Sequence, residues 1–405
     1  MYLKQLSLTN FRGFSRLDLD VPREIFLLVG NNAQGKTTLL EAIYFLSTFT
    51  SFHASSDRQL ISFTAPTDTV AVGRIIGVFQ RGSGGHRIEV RLIREPNGVN
   101  GGLRFRKEVL LDGVKRKLGE AMGAFNAVIF LPQMARIIEE GPAERRRYLD
   151  MLISQVSPRY IAHLSDYAQT LTQRNALLKQ LAERGGDPGQ LAVWDGMLAR
   201  LGAHIMFERI HAIREVETEA KRVHYDLTHG QEVLRLDYQP AYDPLPVPEG
   251  QLTLGVSTVT DRSGIAREEI ENGLLAALKK RQREEIARGL TTIGPHRDEM
   301  RFLANQIDLG DYGSRGQGRT ALLALKVAEV AWLHQRTGEW PVLLLDETMS
   351  ELDTQRREDL LTALSECDQA ILTSTDISMF ERSFVESHPV WRVADGVIKP
   401  DKLEN

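Results

Sequence analysis

The sequence predicts an α/β fold, a head assembled from both ends of the chain with a mixed sheet and antiparallel β-hairpins, carrying an inserted helical arm. Three observations predict it. A glycine-rich loop at residues 30 to 37 sits between a short apolar run and a helical pattern. Far downstream a second apolar run ends in two carboxylates at Asp346 and Glu347. Between the two, apolar residues recur at helical spacing in two long seams.

The first element is the strand Ile25-Phe26-Leu27-Leu28-Val29, followed by Gly30-Asn31-Asn32-Ala33-Gln34-Gly35-Lys36-Thr37. This is a complete G-x-x-x-x-G-K-[ST] loop, and Leu39, Leu40, Ile43 and Leu46 then repeat as one face of a helix. Gly30 and Gly35 let the backbone turn so that successive N–H groups, through Thr38, point at anionic oxygens. Lys36 supplies a point charge for the β- and γ-phosphates of ATP, and the Thr37 hydroxyl is placed to ligate Mg²⁺. The helix dipole favours the same anion.

Val342-Leu343-Leu344-Leu345-Asp346-Glu347 reads as a buried parallel strand whose carboxyl end carries the acids. Asp346 can hold Mg²⁺ through water, and Glu347 is positioned to orient or deprotonate the attacking water. A third element, Ser314-Arg315-Gly316-Gln317, precedes the strong helix former Ala321 to Ala328 and offers a second anion site. Phosphate loop, long insertion, Ser-x-Gly-Gln helix and acidic strand is the order of ABC-type ATPase heads. Ser350-Glu351-Leu352-Asp353 matches the D-loop of that class.

With these motifs in place the chain resembles the RecF family of bacterial DNA-repair ATPases, related to the structural-maintenance-of-chromosomes heads. The resemblance rests on Leu8 to Arg12, Gly30 to Ile43, Thr292 to Asp298, Gly313 to Thr320 and Leu343 to Asp353, so it covers essentially the whole length. Gly-Pro-His-Arg-Asp followed by Ser-x-Gly-Gln-x-Arg-Thr is its most specific part. Two positions depart from the pattern. Glu347 stands where many members carry Asp, and Thr373-Ser374-Thr375-Asp376 replaces the switch histidine of most ABC heads.

The resemblance implies a weak, DNA-stimulated ATPase in which hydrolysis serves as a switch. It also implies an ATP-dependent homodimer in which Ser314, Gly316 and Gln317 reach the partner's nucleotide in trans. Arg12 is then the arginine that reaches nucleotide phosphate or ribose, with a surface salt bridge as the plain alternative, and Gln133 the glutamine that senses Mg²⁺. Implied partners are single- and double-stranded DNA at gaps or junctions and the RecR mediator, with a functional link to RecA. The implied role is recombinational gap repair, replication maintenance and the SOS response. The alternative is a chromosome-structural ATPase of the structural-maintenance class, which would carry a far longer coiled-coil arm. An ABC importer subunit and a non-catalytic scaffold fit less well, since the switch histidine is missing and every phosphate-binding and acidic position is intact. His296, Arg297 and Thr375 receive no chemistry from the sequence.

Between Arg87 and Lys117 there are nine Lys/Arg against four Asp/Glu, although the chain as a whole carries −4. The alternation Ile88, Val90, Leu92 reads as hairpin strands, with the turn at Pro96 to Gly102. Arg104, Arg106, Lys107, Lys115 and Arg116 are the candidate DNA contacts, and one solvated sheet face would give the same pattern.

The head is expected over residues 1–140 and 290–405, and the arm over 141–289. Tyr160, Leu164, Tyr167, Leu171, Leu178 and Leu181 form one seam, interrupted at Arg174; Trp194, Leu198, Leu201 and Ile205 form the next. Gly185 to Gly189 turns between them, giving an antiparallel hairpin. Pro240 to Pro248 reads as a loop and Ile265 to Arg288 as a third helix. Arg145 to Arg147 and Lys279 to Arg283 read as solvated faces or secondary phosphate contacts. A length of 405 residues suits two or three domains at about 150 each. The single cysteine, Cys367, excludes an intrachain disulfide and fits a reducing cytoplasm. No run approaches the ~20 apolar residues of a membrane span, and no signal-peptide pattern opens the chain.

Overall fold

A computed structural model describes residues 1–66, 69–97, 102–245, 259–352, 354–394 and 396–401. Parts of the expected turn at Pro96–Gly102, of the proline-rich loop at Pro240–Pro248 and of the Ser350–Asp353 segment lie outside the described residues. The chain divides into two compact units, Met1–Met134 with Glu329–Asn405, and Ala135–Ala328.

The N-terminal part supplies β1 (Tyr2–Phe11), β2 (Phe14–Asp20), β3 (Ile25–Val29), β4 (Ala71–Arg81), β5 (Gly84–Asn97), β6 (Gly102–Leu111), β7 (Val114–Arg116) and β8 (Ala127–Phe130). The second unit holds β9 (Leu234–Gln239), β10 (Glu299–Ala304) and β11 (Ile307–Asp308). The chain then returns with β12 (Val342–Asp346), β13 (Ala370–Ser374), β14 (Val390–Ala394) and β15 (Val397–Pro400).

The first unit contains two sheets. One is antiparallel, in the order β2-β1-β4-β5-β6-β7; its strands alternate buried and exposed residues, as one-sided burial requires. The other runs β15-β14-β3-β13-β12-β8, with β14, β3, β13, β12 and β8 parallel and β15 antiparallel at the edge. β12 and β13 are buried at every position, which is why they read as continuous apolar runs. The helix Lys36–Thr48 touches β4 and β5 on one side and β8, β12 and β13 on the other. Its residues Leu39, Leu40, Ile43, Phe45 and Leu46 are almost fully enclosed. Burying five large side chains stabilises this junction by about 1.5–3 kcal/mol each before the entropy of ordering them is subtracted.

In the second unit the helices Pro158–Arg184 and Leu191–Leu227 pack as the expected hairpin, and Arg267–Arg288 packs against both. Ser157 caps the first of these by accepting the Tyr160 N–H, and Pro158 occupies the first turn. Gly185, at φ 71, ends it. The seam is not interrupted at Arg174. That side chain is fully buried, donating to Asp195 Oδ1 (2.8 Å) and Thr291 Oγ1 (2.8 Å) and pairing with Glu285 Oε2 (2.7 Å), so one guanidinium ties three helices.

Residues beyond 289 pack with this unit, which extends to Ala328 within the continuous helix Arg315–Thr337. The reason lies in residues 294–304. β10 pairs with β9 along its whole length. Asp298 is buried and accepts from Tyr238 Oη, from the Ala241 N–H (2.9 Å) and from Arg209 Nη1 (3.3 Å). Arg209 also donates to Asp150 (2.8 Å) and to the Pro295 carbonyl (2.7 Å). His296 Nε2 faces the Thr291 carbonyl (3.3 Å), so it carries the proton, and Nδ1 accepts from Tyr167 Oη (2.8 Å). Burial pushes this imidazole down to about 4 and keeps it neutral. The Gly-Pro-His-Arg-Asp motif is therefore a brace; of its side chains only Arg297 is exposed.

Arg145 and Arg146 belong to the same framework and not to a solvated face. Arg145 pairs with Glu299 (2.7 and 2.8 Å) and donates to the Glu140 carbonyl (2.6 Å), while Arg146 donates to the Asp298 carbonyl (2.7 Å). Lys279, Lys280, Arg281 and Arg283 are exposed, as a solvated face requires. No described helix is long and apolar enough to cross a membrane.

Candidate functional site

The carboxyl ends of the five parallel strands lie along one edge of their sheet, where open α/β sheets bind ligands. β3 runs into the phosphate loop there. Gly30 is required because a Cβ would stand 2.5 Å from the Val393 carbonyl oxygen of neighbouring β14. Gly35 is required twice, by φ 108 and by the Phe14 ring, 2.8 Å from where a Cβ would be. The loop then enters the helix at Lys36, so its N–H groups and the helix dipole face the same space.

Lys36 is 4% exposed, and its ammonium is aimed by two carbonyls, Gly30 O (2.6 Å) and Asn31 O (3.1 Å), with Glu347 Oε1 at 3.3 Å. Thr37 Oγ1 donates to Asp346 Oδ2 (2.8 Å). Phosphate loop and acidic strand, 309 positions apart, thus meet through two side-chain contacts. Asn32 to Thr38, with Glu347, Gly13, Phe14 and Gly396, line a cleft of about 360 Å³, within the range of ligand pockets. The Thr37 hydroxyl in this cleft and the Asp346 carboxylate bonded to it are hard oxygen donors of the kind that suits Mg²⁺.

One residue of this constellation receives no role from the sequence, which places it only in the segment that replaces the switch histidine. Thr373, on β13 and 1% exposed, donates to Asp346 Oδ1 (2.8 Å) and accepts the Glu347 N–H (3.0 Å). Glu347 itself sits at φ 48, a left-handed conformation uncommon outside glycine, and that N–H bond helps hold it there. The only signal in the sequence is a hydroxyl at the end of a buried apolar strand, one position inside where a switch histidine would be sought. Thr375, two residues on, is exposed.

Two candidates stand elsewhere. Arg12 does not line the cleft. Its guanidinium forms a forked pair with Glu41 (2.9 and 2.8 Å), itself 2% exposed and bonded to Ser51 Oγ. Gln133 lies half-buried in the single turn Pro132–Ala135 after β8, and it too is outside the cleft lining.

In the second unit, Ser314 and Gln317 make a reciprocal capping box at the start of the helix Arg315–Thr337. The Gln317 N–H donates to Ser314 Oγ (3.2 Å) and the Ser314 N–H to Gln317 Oε1 (2.9 Å). Gln317 Nε2 donates to Glu232 Oε1 (2.7 Å), which fixes the amide. Ser314 and Gly316 are not buried.

The candidate DNA residues do not share one face, because strand side chains alternate. Register across β5, β6 and β7 puts Arg104, Arg106 and Lys115 on one side with Glu89 and Arg91, and Lys107 and Arg116 on the other. Lys107 turns toward the helix and donates to the Phe49 carbonyl (2.6 Å) and Asp57 (2.7 Å) at 15% exposure. It is a structural lysine.

The RecF/RecN/SMC N terminal domain family matches residues 2–399. A DNA replication and repair protein RecF from Roseiflexus castenholzii is 38% identical over 410 residues, covering 99% of this chain and 100% of that protein. One from Chloroflexus aurantiacus is 37% identical, covering 98% and 99%. The solved structure of the recombination mediator protein RecF with ATP in the RecFOR pathway superposes with a TM-score of 0.82 at 32% identity, covering 99% of this chain and 97% of that one. An Smc head bound to the C-winged helix domain of ScpA shares the fold alone, at 14% identity and a TM-score of 0.51. Matched along its length by relatives above the 30% level and sharing the RecF architecture, the chain belongs to the RecF family.

Proposed function

We propose that this chain is an ATP-dependent DNA-binding clamp of the RecF kind, acting in recombinational repair of single-strand gaps and in replication maintenance. The observation that carries the reading is that Lys36 and Thr37, which line the cleft with Glu347, are tied to the acidic strand end through Lys36–Glu347 and Thr37–Asp346 at the carboxyl edge of the parallel sheet. ATP is the substrate. Its β- and γ-phosphates are received by the backbone N–H groups of Gly30 to Thr38 and by Lys36. Thr37 and Asp346 would hold Mg²⁺, which would supply the charge that neutralises the phosphates. Glu347 orients and deprotonates the attacking water. Arg12 acts through Glu41, against the helix that follows the phosphate loop, in place of direct nucleotide contact, and Gln133 remains a candidate only for a rearranged, nucleotide-bound form.

Hydrolysis is slow and serves as a switch. Two copies pair when ATP is bound, each offering its Ser314, Gly316 and Gln317 to the other's γ-phosphate. The accessible capped helix start supports that reading, since its N–H groups and dipole suit an anion. Expected partners are gapped or junction DNA, the RecR mediator and, functionally, RecA in repair and the SOS response; the working place is the cytoplasm. The full-length relatives, named for DNA replication and repair, support this over the chromosome-structural alternative. Calorimetric titration with ATP tests it. Lys36→Ala removes a charge-assisted contact of about 1.5–3 kcal/mol, so affinity falls at least tenfold. Unchanged affinity contradicts the assignment.

A further inference from the structure

Glu89 lies in the middle of β5 on the polar face of the antiparallel sheet, yet it is only 1% exposed. Three arginines close over it. Arg74 Nε (2.7 Å) and Arg91 Nε (2.6 Å) both donate to its Oε1, and Arg87 Nη2 stands 2.8 Å from Oε2. Burial alone would raise this carboxyl; the hydrogen bonds from Arg74 and Arg91 outweigh it and hold the group at about 2, so it is charged at neutral pH. The three arginine side chains remain 39%, 37% and 42% exposed for Arg74, Arg91 and Arg87. Three cations around one anion leave a local surplus of positive charge in a chain whose total is −4.

Register extends the array. Arg74 faces Arg91, Arg91 faces Glu108, Ile93 faces Arg106 and Glu95 faces Arg104; Lys115 follows opposite Leu110. Between β4 and β7 this one face therefore carries six basic side chains against three carboxylates, Glu89, Glu95 and Glu108. Stability is a poor reason for the Glu89 cluster, since exposed arginine pairs contribute little and enclosing a carboxylate is costly. Its effect is preorganisation. Arg74 and Arg91 reach Glu89 through Nε, and among the described residues no hydrogen bond forms at their Nη ends, although the Glu108 carboxylate also faces Arg91. The shared carboxylate fixes the planes of both forks, and a pre-set guanidinium fork binds phosphate oxygens with less entropy lost.

We propose that Arg74, Arg87 and Arg91, held in array by Glu89 and continued by Arg104, Arg106 and Lys115, form a contact surface for the phosphate backbone of DNA. This rests on the DNA-binding reading above and moves its centre from β6 and β7 to β4 and β5. Fluorescence anisotropy of the full chain on a labelled duplex, across a salt series at fixed ATP and Mg²⁺, tests it. The triple variant Arg74→Gln, Glu89→Gln, Arg91→Gln leaves no carboxylate stranded, and Arg87→Gln alone keeps both Nε bonds to Glu89. The slope of log K against log salt should fall by about two units in the triple variant and about one in Arg87→Gln, at roughly 0.9 per lost phosphate contact. Thermal unfolding of each variant identifies the folded ones, and Arg87→Gln decides the matter if the triple variant is unstable. Slopes equal to the parent's in folded variants overturn the surface while leaving DNA binding intact. A parent chain with no salt-dependent binding overturns the DNA reading itself.

Discussion

Thr373 gives the sharpest test of how the site is held. Valine has nearly the same shape, so Thr373→Val removes a hydroxyl without opening a cavity. Two groups lose their partner: Asp346 Oδ1, now 2.8 Å from the hydroxyl, and the Glu347 N–H at 3.0 Å. Neither recovers water easily, because Thr373 is 1% and Asp346 7% exposed. A buried polar group left without a partner costs about 1–3 kcal/mol, more when charged, so the first unit should lose about 2–5 kcal/mol. The functional loss is separate. Asp346 keeps only its side-chain bond to Thr37, the hydroxyl proposed to ligate Mg²⁺, so in the proposed site the carboxylate would no longer be aimed at the ion. Losing such a supporting partner typically lowers metal affinity or activity about 10–100-fold. Mg²⁺ titration of nucleotide affinity reads the first, steady-state phosphate release the second, and thermal unfolding the stability. Thr373→Ser should restore all three. If Thr373→Val binds Mg²⁺–ATP and turns over within about twofold of the parent, Asp346 and Glu347 are positioned by something else.

Two further outcomes follow from the second unit. Arg174→Met strands Asp195 and Glu285, which are 1% and 0% exposed, and should destabilise the helical hairpin by about 3–5 kcal/mol in denaturant titration. His296 is held at about 4 by burial, against about 6.5 in an unfolded chain, so the unfolded state binds the extra proton first. Stability should therefore fall as pH drops from about 6.5 to about 4, by up to about 3 kcal/mol, and His296→Gln should flatten that part of the profile.

How much the residues alone reveal depends on whether the relevant interaction is local. The phosphate loop is local: strand, glycines, lysine and helix follow one another, so Gly30 to Thr38 are legible from their order in the chain. The acidic strand is legible from its unbroken apolar run, which reports burial on both faces. The helical hairpin follows from heptad spacing and a Gly/Pro turn. Contacts made at long range are not legible. Arg174 interrupts a seam in the sequence but occupies it in space, because Asp195 and Glu285 come from two other helices. Lys107 looks like its neighbour Arg106, yet alternation sends it to the opposite face, where Asp57 waits. Thr373 looks like an ordinary strand residue, since its partner lies on a strand adjacent in the sheet but 27 positions away. Residues beyond 289 join the second unit because β9 and β10 pair across an interval whose local pattern is only a loop and a helix.

Multi-angle light scattering with ATP and a gapped duplex tests whether ATP closes two copies of this chain on DNA and hydrolysis releases them. Glu347→Gln keeps the side chain's size but cannot take a proton, so ATP stays bound and the variant should accumulate as a dimer on DNA. Ser314→Arg places a long side chain at the accessible helix start and should remain monomeric while binding ATP normally. A Ser314→Arg chain that dimerises with ATP as the parent does, or a Glu347→Gln chain that stays monomeric, would rule out this ATP-driven pairing.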